Sequence, residues 1–262
     1  MPTCVILIMM TTFETSFLSV LREGLAWLGW SLPESALEAM ARYARMVWEW
    51  NERLNLTAIV EPEAMAARHF VDSLTALQAF REPAWPPAPA EWPPCRLADV
   101  GTGAGFPGLV LKLAWPALEL TLIESTVKKA RFLEAAVHRL GLEGITILAR
   151  RAEEVGQDPA HRERYDGTIA RAVAELPVLL EYLLPLVRIG GIAVAMKGAE
   201  VEEEIAAAHR AMDLLGGRLR NRCDLAWPPY LSPRTLLVFE KIAPTPAKYP
   251  RRPGIPEKRP LR

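Results

Sequence analysis

Apolar positions change their period along this chain. Between residues 13 and 82, Phe17, Leu18, Leu21 and Leu25 recur three or four apart, the spacing of one helix face, and the pattern predicts three helices. Pro33 and Pro62 stand where a first helical turn tolerates proline. From residue 96 onward, strand-length apolar runs (RLADV, LELTLIE, ITILAR, YDGTIARAV, GIAVAMKG, TLLVFEKI) alternate with helical patterns. Such alternation predicts an α/β domain with a doubly wound, mostly parallel, Rossmann-like sheet that binds ligands at the carboxyl ends of its strands. Between the two regions, residues 81–94 hold six prolines, which no helix or central strand absorbs. We therefore divide the chain into an N-terminal helical extension (1–82), a Pro-rich linker (83–95), an α/β domain (96–243) and a basic, Pro-rich tail (244–262).

Composition narrows the functional classes. Half of the 262 residues are hydrophobic, and Lys+Arg and Asp+Glu are both 31, so any nucleic-acid signal must be local. The three cysteines, Cys4, Cys95 and Cys223, show no C-x-x-C spacing, which indicates neither a disulfide framework nor a zinc site and fits a reducing compartment. The apolar start MPTCVILIMM lacks a preceding basic residue and is too short for a signal segment; it reads as an upstream start ahead of Met9 or Met10. No run has the roughly 18 apolar residues of a membrane span. The chain is read as soluble, cytoplasmic and monomeric, with no metal. Hydrolase and P-loop motifs of the G-x-S-x-G, H-E-x-x-H and G-x-x-x-x-G-K-[ST] types do not occur.

Four glycines fall in the eight residues 101–108. Gly103 to Gly108 match the dinucleotide pattern G-x-G-x-x-G, and Gly101 to Gly105 match the G-x-G-x-G loop of S-adenosylmethionine enzymes; the glycines alone leave both open. The second strand ends in Glu124, whose carboxylate can accept hydrogen bonds from both hydroxyls of a ribose, or can cap the helix beginning near Ser125. Ala152 and Glu153 follow the third strand, where a nucleoside-cofactor domain lets backbone and a polar side chain meet the adenine ring, although a plain charged turn has the same sequence. Arg171 ends the fourth and either contacts an anionic ligand or forms a structural ion pair with Glu175. In RHFVDSL, Arg68 and Asp72 share a helix face, as do His69 and Ser73; His69 reads as a hydrogen-bonded packing residue rather than a catalyst. Trp27, Trp30, Trp48 and Trp50 read as packing rather than base-stacking residues. From Lys248 onward there are six Lys/Arg against one acid, Glu257, on a chain whose prolines favour an extended arm, either phosphate-contacting or merely solvated.

Taken in order, LNLTAI (54–59), RHFVDSL (68–74), DVGTGAGFPG (99–108), RAEE (151–154), ARAVAEL (170–176), AMKG (195–198) and KYPRRPGIPEKRPL (248–261) resemble the bacterial small-subunit rRNA guanine-N7 methyltransferase G family, also called glucose-inhibited division protein B. The resemblance runs from about residue 35 to the end. It implies a class I S-adenosylmethionine-dependent methyltransferase acting on N7 of the guanine conventionally numbered 527 in the 530 loop of 16S rRNA, offered as free rRNA or as a 30S assembly particle. It also implies cofactor contacts at Gly101, Gly103, Phe106, Glu124, Ser125, Thr126, Ala152, Glu153 and Arg171. Glu124 stands where Asp is commoner in the family, and SPRTLLVFEK stands where Arg-His often precedes the last strand.

Guanine N7 carries a lone pair and no proton, so methyl transfer to it needs no general base, and no catalytic residue is assigned. Lys197, Arg251, Arg252, Lys258 and Arg259 are expected to meet RNA phosphate. Two rival readings are a nicotinamide-dependent oxidoreductase, for which the chain after residue 200 is short, and a non-catalytic RNA-binding assembly factor.

Overall fold

The computed structural model describes residues 2–82, 86, 88–225 and 233–262, with side chains described from residue 12 onward. Its helical extension consists of α1 (Pro2–Leu28), α2 (Glu34–Leu54) and a third, segmented helix. That third element runs through α3 (Pro62–Met65), a π-helical stretch Ala66–Val71, α4 (Asp72–Thr75) and α5 (Leu77–Phe80). The three expected helices are thus present.

The α/β region contributes β1 (Cys95–Val100), α6 (Gly108–Ala114), β2 (Leu118–Ile123), α7 (Val127–Leu140), β3 (Ile145–Leu148), α8 (Ala152–Gln157), β4 (Tyr165–Arg171), α9 (Leu176–Leu183) and β5 (Val187–Lys197). It continues through α10 (Glu202–Ala207), α11 (His209–Leu215), β6 (Gly217–Leu225) and β7 (Arg234–Lys241). The strands form one seven-stranded sheet ordered β3-β2-β1-β4-β5-β7-β6. Strands β1 to β5 pair in parallel, and β7 runs antiparallel between β5 and β6.

Successive strand residues face opposite sides, and both sides are apolar. Leu97, Leu122, Ile169, Val194 and Leu236 join a core with α2, α6, α7 and the whole helical extension. Their neighbours Ala98, Ile123, Ala170, Ala195 and Leu237 join a second core with α8, α9 and α11. The extension is therefore a layer of the first core rather than an appended domain. Part of the proline-rich segment falls outside the described residues, but its end is anchored: Trp92 is buried, 5.7 Å from the Trp30 ring and 5.1 Å from the Trp115 ring. Trp30 is buried and Trp50 packs 5.5 Å from Phe132, as expected of packing residues, whereas Trp27 and Trp48 are more than two-fifths exposed.

The tail is not the extended arm that its prolines suggest. It is docked on α8 and α9 and ends in a short helix, α12 (Ile255–Lys258). Arg162 donates to the carbonyls of Thr245 and Tyr249 at 2.6 and 2.7 Å, Gln157 donates to the carbonyl of Pro250 at 2.7 Å, and Tyr249, Pro256 and Leu261 are buried. A chain without regular structure can still be fixed when side chains of the domain satisfy its carbonyls.

Candidate active site

The glycine corner follows β1. Gly101, Gly103 and Gly105 all take positive φ, at 69°, 61° and 94°. A Cβ on Gly101 would lie 2.7 Å from Val173 Cγ2, and one on Gly105 would run into the Tyr43 hydroxyl and lie 2.7 Å from Leu109 Cδ1. Asp99 sets the loop: its Oδ2 accepts from Thr102 Oγ1 at 2.6 Å and from the Gly108 amide at 2.8 Å, while its Oδ1 is buried without a partner. Burial pushes this carboxyl up to about 6 against the pull of those two donors. From the other side, Tyr43 of α2 donates its hydroxyl to the Ala104 carbonyl and sets its ring 5.5 Å from Phe106. The helical extension thus reaches into the glycine corner.

Glu124 links the corner to the next element. Its Oε2 accepts from the Gly103 amide at 3.0 Å, and its Oε1 accepts from the amide of Thr126, the N-cap of α7, at 2.7 Å. Capping is therefore observed. A carboxylate has about four acceptor positions, so the capped group retains capacity for ribose hydroxyls. A cavity of about 80 Å³ lies over the carboxyl ends of β1, β2 and β3 and brings together Gly101, Ser125, Ala152 and Glu153. Glu153 is almost fully buried and its Oε1 accepts from the Gly254 amide of the tail at 2.9 Å. One oxygen of this carboxylate thus fixes the docked tail, while the residue still lines the cavity.

Phe106 and Arg171 belong to a different place. Arg171, at the end of β4, lines a larger cavity of about 390 Å³ between the helical extension and the carboxyl edge of β4 and β5. It does not pair with Glu175, which instead binds Arg262 at 2.5 Å. Its Nη1 donates to Asp72 Oδ2 at 2.7 Å and to the Arg68 carbonyl at 3.0 Å, its Nη2 donates to His69 Nδ1 at 3.3 Å, and it lies 5.4 Å from the Phe106 centroid. Asp72 is shared: its Oδ1 accepts from Arg234 Nε at 3.0 Å. One carboxylate therefore ties the helical extension to β4 and to β7.

Because Arg171 can only donate to Nδ1 of His69, the ring proton sits on Nε2 and is donated to Thr57 Oγ1, 2.7 Å away. The ring stacks on Phe106 at 4.6 Å. Burial and, next, the Arg171 charge push His69 down to about 3. This is the packing histidine expected from the sequence, held neutral. Its π-helical turn, a local irregularity common at functional sites, also presents the Arg68 carbonyl to Arg171.

Of the expected RNA contacts, Lys197 lines the larger cavity, but its Nζ is held by Glu204 at 2.6 Å and by the Ala174 carbonyl at 2.8 Å. Arg251 forms a bidentate pair with the fully buried Glu181, at 2.6 Å from Nη2 and 2.9 Å from Nε. Both cations are already neutralised, which a linear reading could not see. Arg252, Lys258 and Arg259 are exposed and make no ion pair among the described residues. Tyr43, Asp72, Asp99 and Arg234 were not picked from the sequence as site residues. Only the four-residue spacing of Arg68 and Asp72 hinted at them. Among the described residues no cluster of His, Cys, Asp and Glu could hold a metal ion, and no helix is long and apolar enough to cross a membrane.

Against known families, residues 36–223 match the model of rRNA small subunit methyltransferase G. The chain belongs to this family. Ribosomal RNA small subunit methyltransferase G of Symbiobacterium thermophilum is 48% identical over 252 residues, covering 94% of this chain and 99% of the relative. The protein of that name from Pelotomaculum thermopropionicum is 47% identical, covering 92% and 97%. Among solved structures, a mutant of MtNAS superposes with a TM-score of 0.50 at 13% identity, covering 80% of this chain and 75% of that one, a likeness of fold alone. The family match takes in Tyr43, Asp72, the glycine corner, Glu124 and Arg171, whereas Arg234 and the docked tail lie beyond it. The fold is thus a class I methyltransferase sheet with an N-terminal helical layer, and the enzyme is an rRNA methyltransferase of a family that implies use of S-adenosylmethionine.

Proposed function

We propose that this enzyme transfers the methyl group of S-adenosylmethionine to N7 of the guanine numbered 527 in the 530 loop of 16S rRNA. The observation that carries this reading, beside family membership, is the position of the glycine corner between two cavities, one at the nucleoside end of the sheet and one rich in guanidinium groups at the other. The residues present fit the cofactor. The corner exposes backbone without Cβ atoms, and Glu124 retains acceptor capacity at the strand end where a ribose binds. Gly101, Gly103, Glu124, Ser125 and Thr126 would hold the nucleoside, with the backbone of Ala152 and Glu153 beneath the base. Phe106 and Arg171 would bound the far end.

When bound, the cofactor supplies an electrophilic methyl group on a sulfonium. The protein's part is orientation. Arg171 is locked by three acceptors and leaves the wall rigid, and neutral His69 adds no second positive charge behind Phe106. A fixed wall contributes by holding N7 in line with the methyl–sulfur bond, with preset dipoles where charge moves from sulfur to base. A base in a single-stranded loop can be splayed out into such a cavity. Arg68 at the cavity mouth, with Arg252, Lys258 and Arg259 on the tail, provides exposed cations for phosphate. Lys197 contributes its stem to the wall, and Arg251 anchors the tail rather than RNA.

The test is methyl transfer from labelled S-adenosylmethionine to 16S rRNA and to 30S particles from cells lacking the activity, followed by mapping of the modified base. Label at N7 of that one guanine is the expected result. Cofactor binding without transfer to either substrate would refute the assignment and favour an assembly factor. The oxidoreductase reading fits poorly, since β5 is followed by the antiparallel pair β7 and β6 instead of a second mononucleotide-binding half.

A further inference from the structure

The docked tail forms part of the wall of the smaller cavity. Glu257 of α12 lines it together with Tyr182 of α9 and Arg151. Both neighbours hold the same oxygen: the Tyr182 hydroxyl donates to Glu257 Oε1 at 3.2 Å, and Arg151 Nη2 lies 3.5 Å from that atom. Oε2 has no partner among the described residues, and the Glu257 side chain is 58% exposed. The tail is kept in place from beneath by the Arg251–Glu181 pair and by Glu153, which accepts the Gly254 amide. Glu153, the acid that follows β3, is thereby engaged through Oε1, and Glu257 adds a second carboxylate to the cavity that both residues line. Burial, with Glu153 and Glu257 nearby, raises the Tyr182 phenol well above its ordinary range, so it remains a donor.

The cavity has the character of a nucleobase slot, with apolar Val100, Ile123 and Val173 among its walls and a carboxylate at its rim. The exocyclic amine of adenine is a donor that needs an acceptor at such a rim. We propose that the C-terminal helix completes the adenine subsite and that the unpartnered Oε2 of Glu257 accepts the adenine amino group. The inference rests on the cofactor reading above but not on the identity of the RNA target. It assigns the tail a second role, beside RNA, in selecting adenine over a base with a carbonyl at the same position.

The probes are S-adenosylhomocysteine and S-inosylhomocysteine, which differs in carrying a carbonyl where adenine has its amine, with affinity read by calorimetry on the full chain. A charge-assisted hydrogen bond predicts that the unaltered protein binds the adenosyl compound at least about tenfold more tightly, because the inosyl carbonyl would face a carboxylate. Glu257→Ala should weaken adenosyl binding by about tenfold and remove most of the preference. Glu257 is largely exposed, and an unchanged urea midpoint will show that the variant is folded. If Glu257→Ala keeps both affinity and preference within twofold, the inference is wrong. If the unaltered protein binds neither compound, the cofactor reading falls and takes the inference with it, a result distinct from failure of RNA methylation with cofactor binding intact.

Discussion

Asp72 offers the sharpest test of how the two layers are joined. Its side chain is 3% exposed and lies between Arg171, 14% exposed, and Arg234, 36% exposed. Asp72→Asn preserves shape but removes the only negative charge in the three-residue cluster, and its amide nitrogen has no acceptor among the two guanidinium groups. Removing one partner of a buried ion pair costs about 3 to 5 kcal/mol, and the rim position of Arg234 places this case near 3. For a chain of this size that corresponds to a fall in Tm of roughly 6 to 12 °C. Urea titration of Asp72→Asn, Arg234→Gln and the double variant forms the decisive cycle. Arg234→Gln alone should cost no more than about 1 kcal/mol, consistent with a half-exposed pair. In the Asp72→Asn background it should cost nothing or restore stability, since it removes an unpaired cation. A loss below about 1 kcal/mol for Asp72→Asn, or strict additivity of the two substitutions, would show that the cluster does not couple the layers.

Other substitutions address the corner, the tail and pH. Gly105→Ala should abolish measurable S-adenosylhomocysteine binding, because the added Cβ meets the Tyr43 hydroxyl and Leu109; combining it with Tyr43→Phe should recover only part, since positive φ persists. Arg251→Ala should cost about 3 kcal/mol by leaving buried Glu181 unpaired, and limited proteolysis should then cut the tail. His69, held near 3 when folded, lets the unfolded chain bind a proton that the folded chain does not, so its contribution is complete above 6.5 and is lost as pH falls toward 3. Asp99, raised to about 6, works in the opposite sense, favouring the fold below 3.8 and losing that contribution as pH rises through 6. Between pH 4 and 6 the two oppose one another. His69→Gln should therefore make stability fall with rising pH by about 1.4 kcal/mol per unit relative to the unaltered protein; parallel profiles would refute a buried neutral His69.

The alternation of strand-length and helical patterns made the parallel sheet legible, because strands covered on both faces are largely apolar, as β1 and β2 are past their exposed Arg96 and Glu119. The edge strand β6 was not expected: GRLRNRCDL alternates no apolar face, and its outer residues Arg218, Arg220 and Arg222 are exposed. The glycine corner and Glu124 were readable as local patterns with a known geometric partner. Asp72 with Arg171 and Arg234 was not, because the contacts span 99 and 162 positions and no local spacing encodes them. The tail misled for a related reason. Proline content reports on local conformation, whereas Arg162, Gln157 and Glu181, far away in sequence, decide whether the segment is held.

The position of β7 also bears on how the enzyme is made. Synthesis proceeds from the N-terminus, and the helical extension with β1 to β5 can associate before the last strand emerges. Strand β6 has no place at the sheet until β7, its later-made neighbour, lies against β5. The same strand carries Arg234 to an aspartate synthesised 162 residues earlier. The larger cavity is therefore finished by one of the last segments to leave the ribosome and the smaller one, walled by Glu257 of the tail, later still, so a chain terminated before β7 would leave both open.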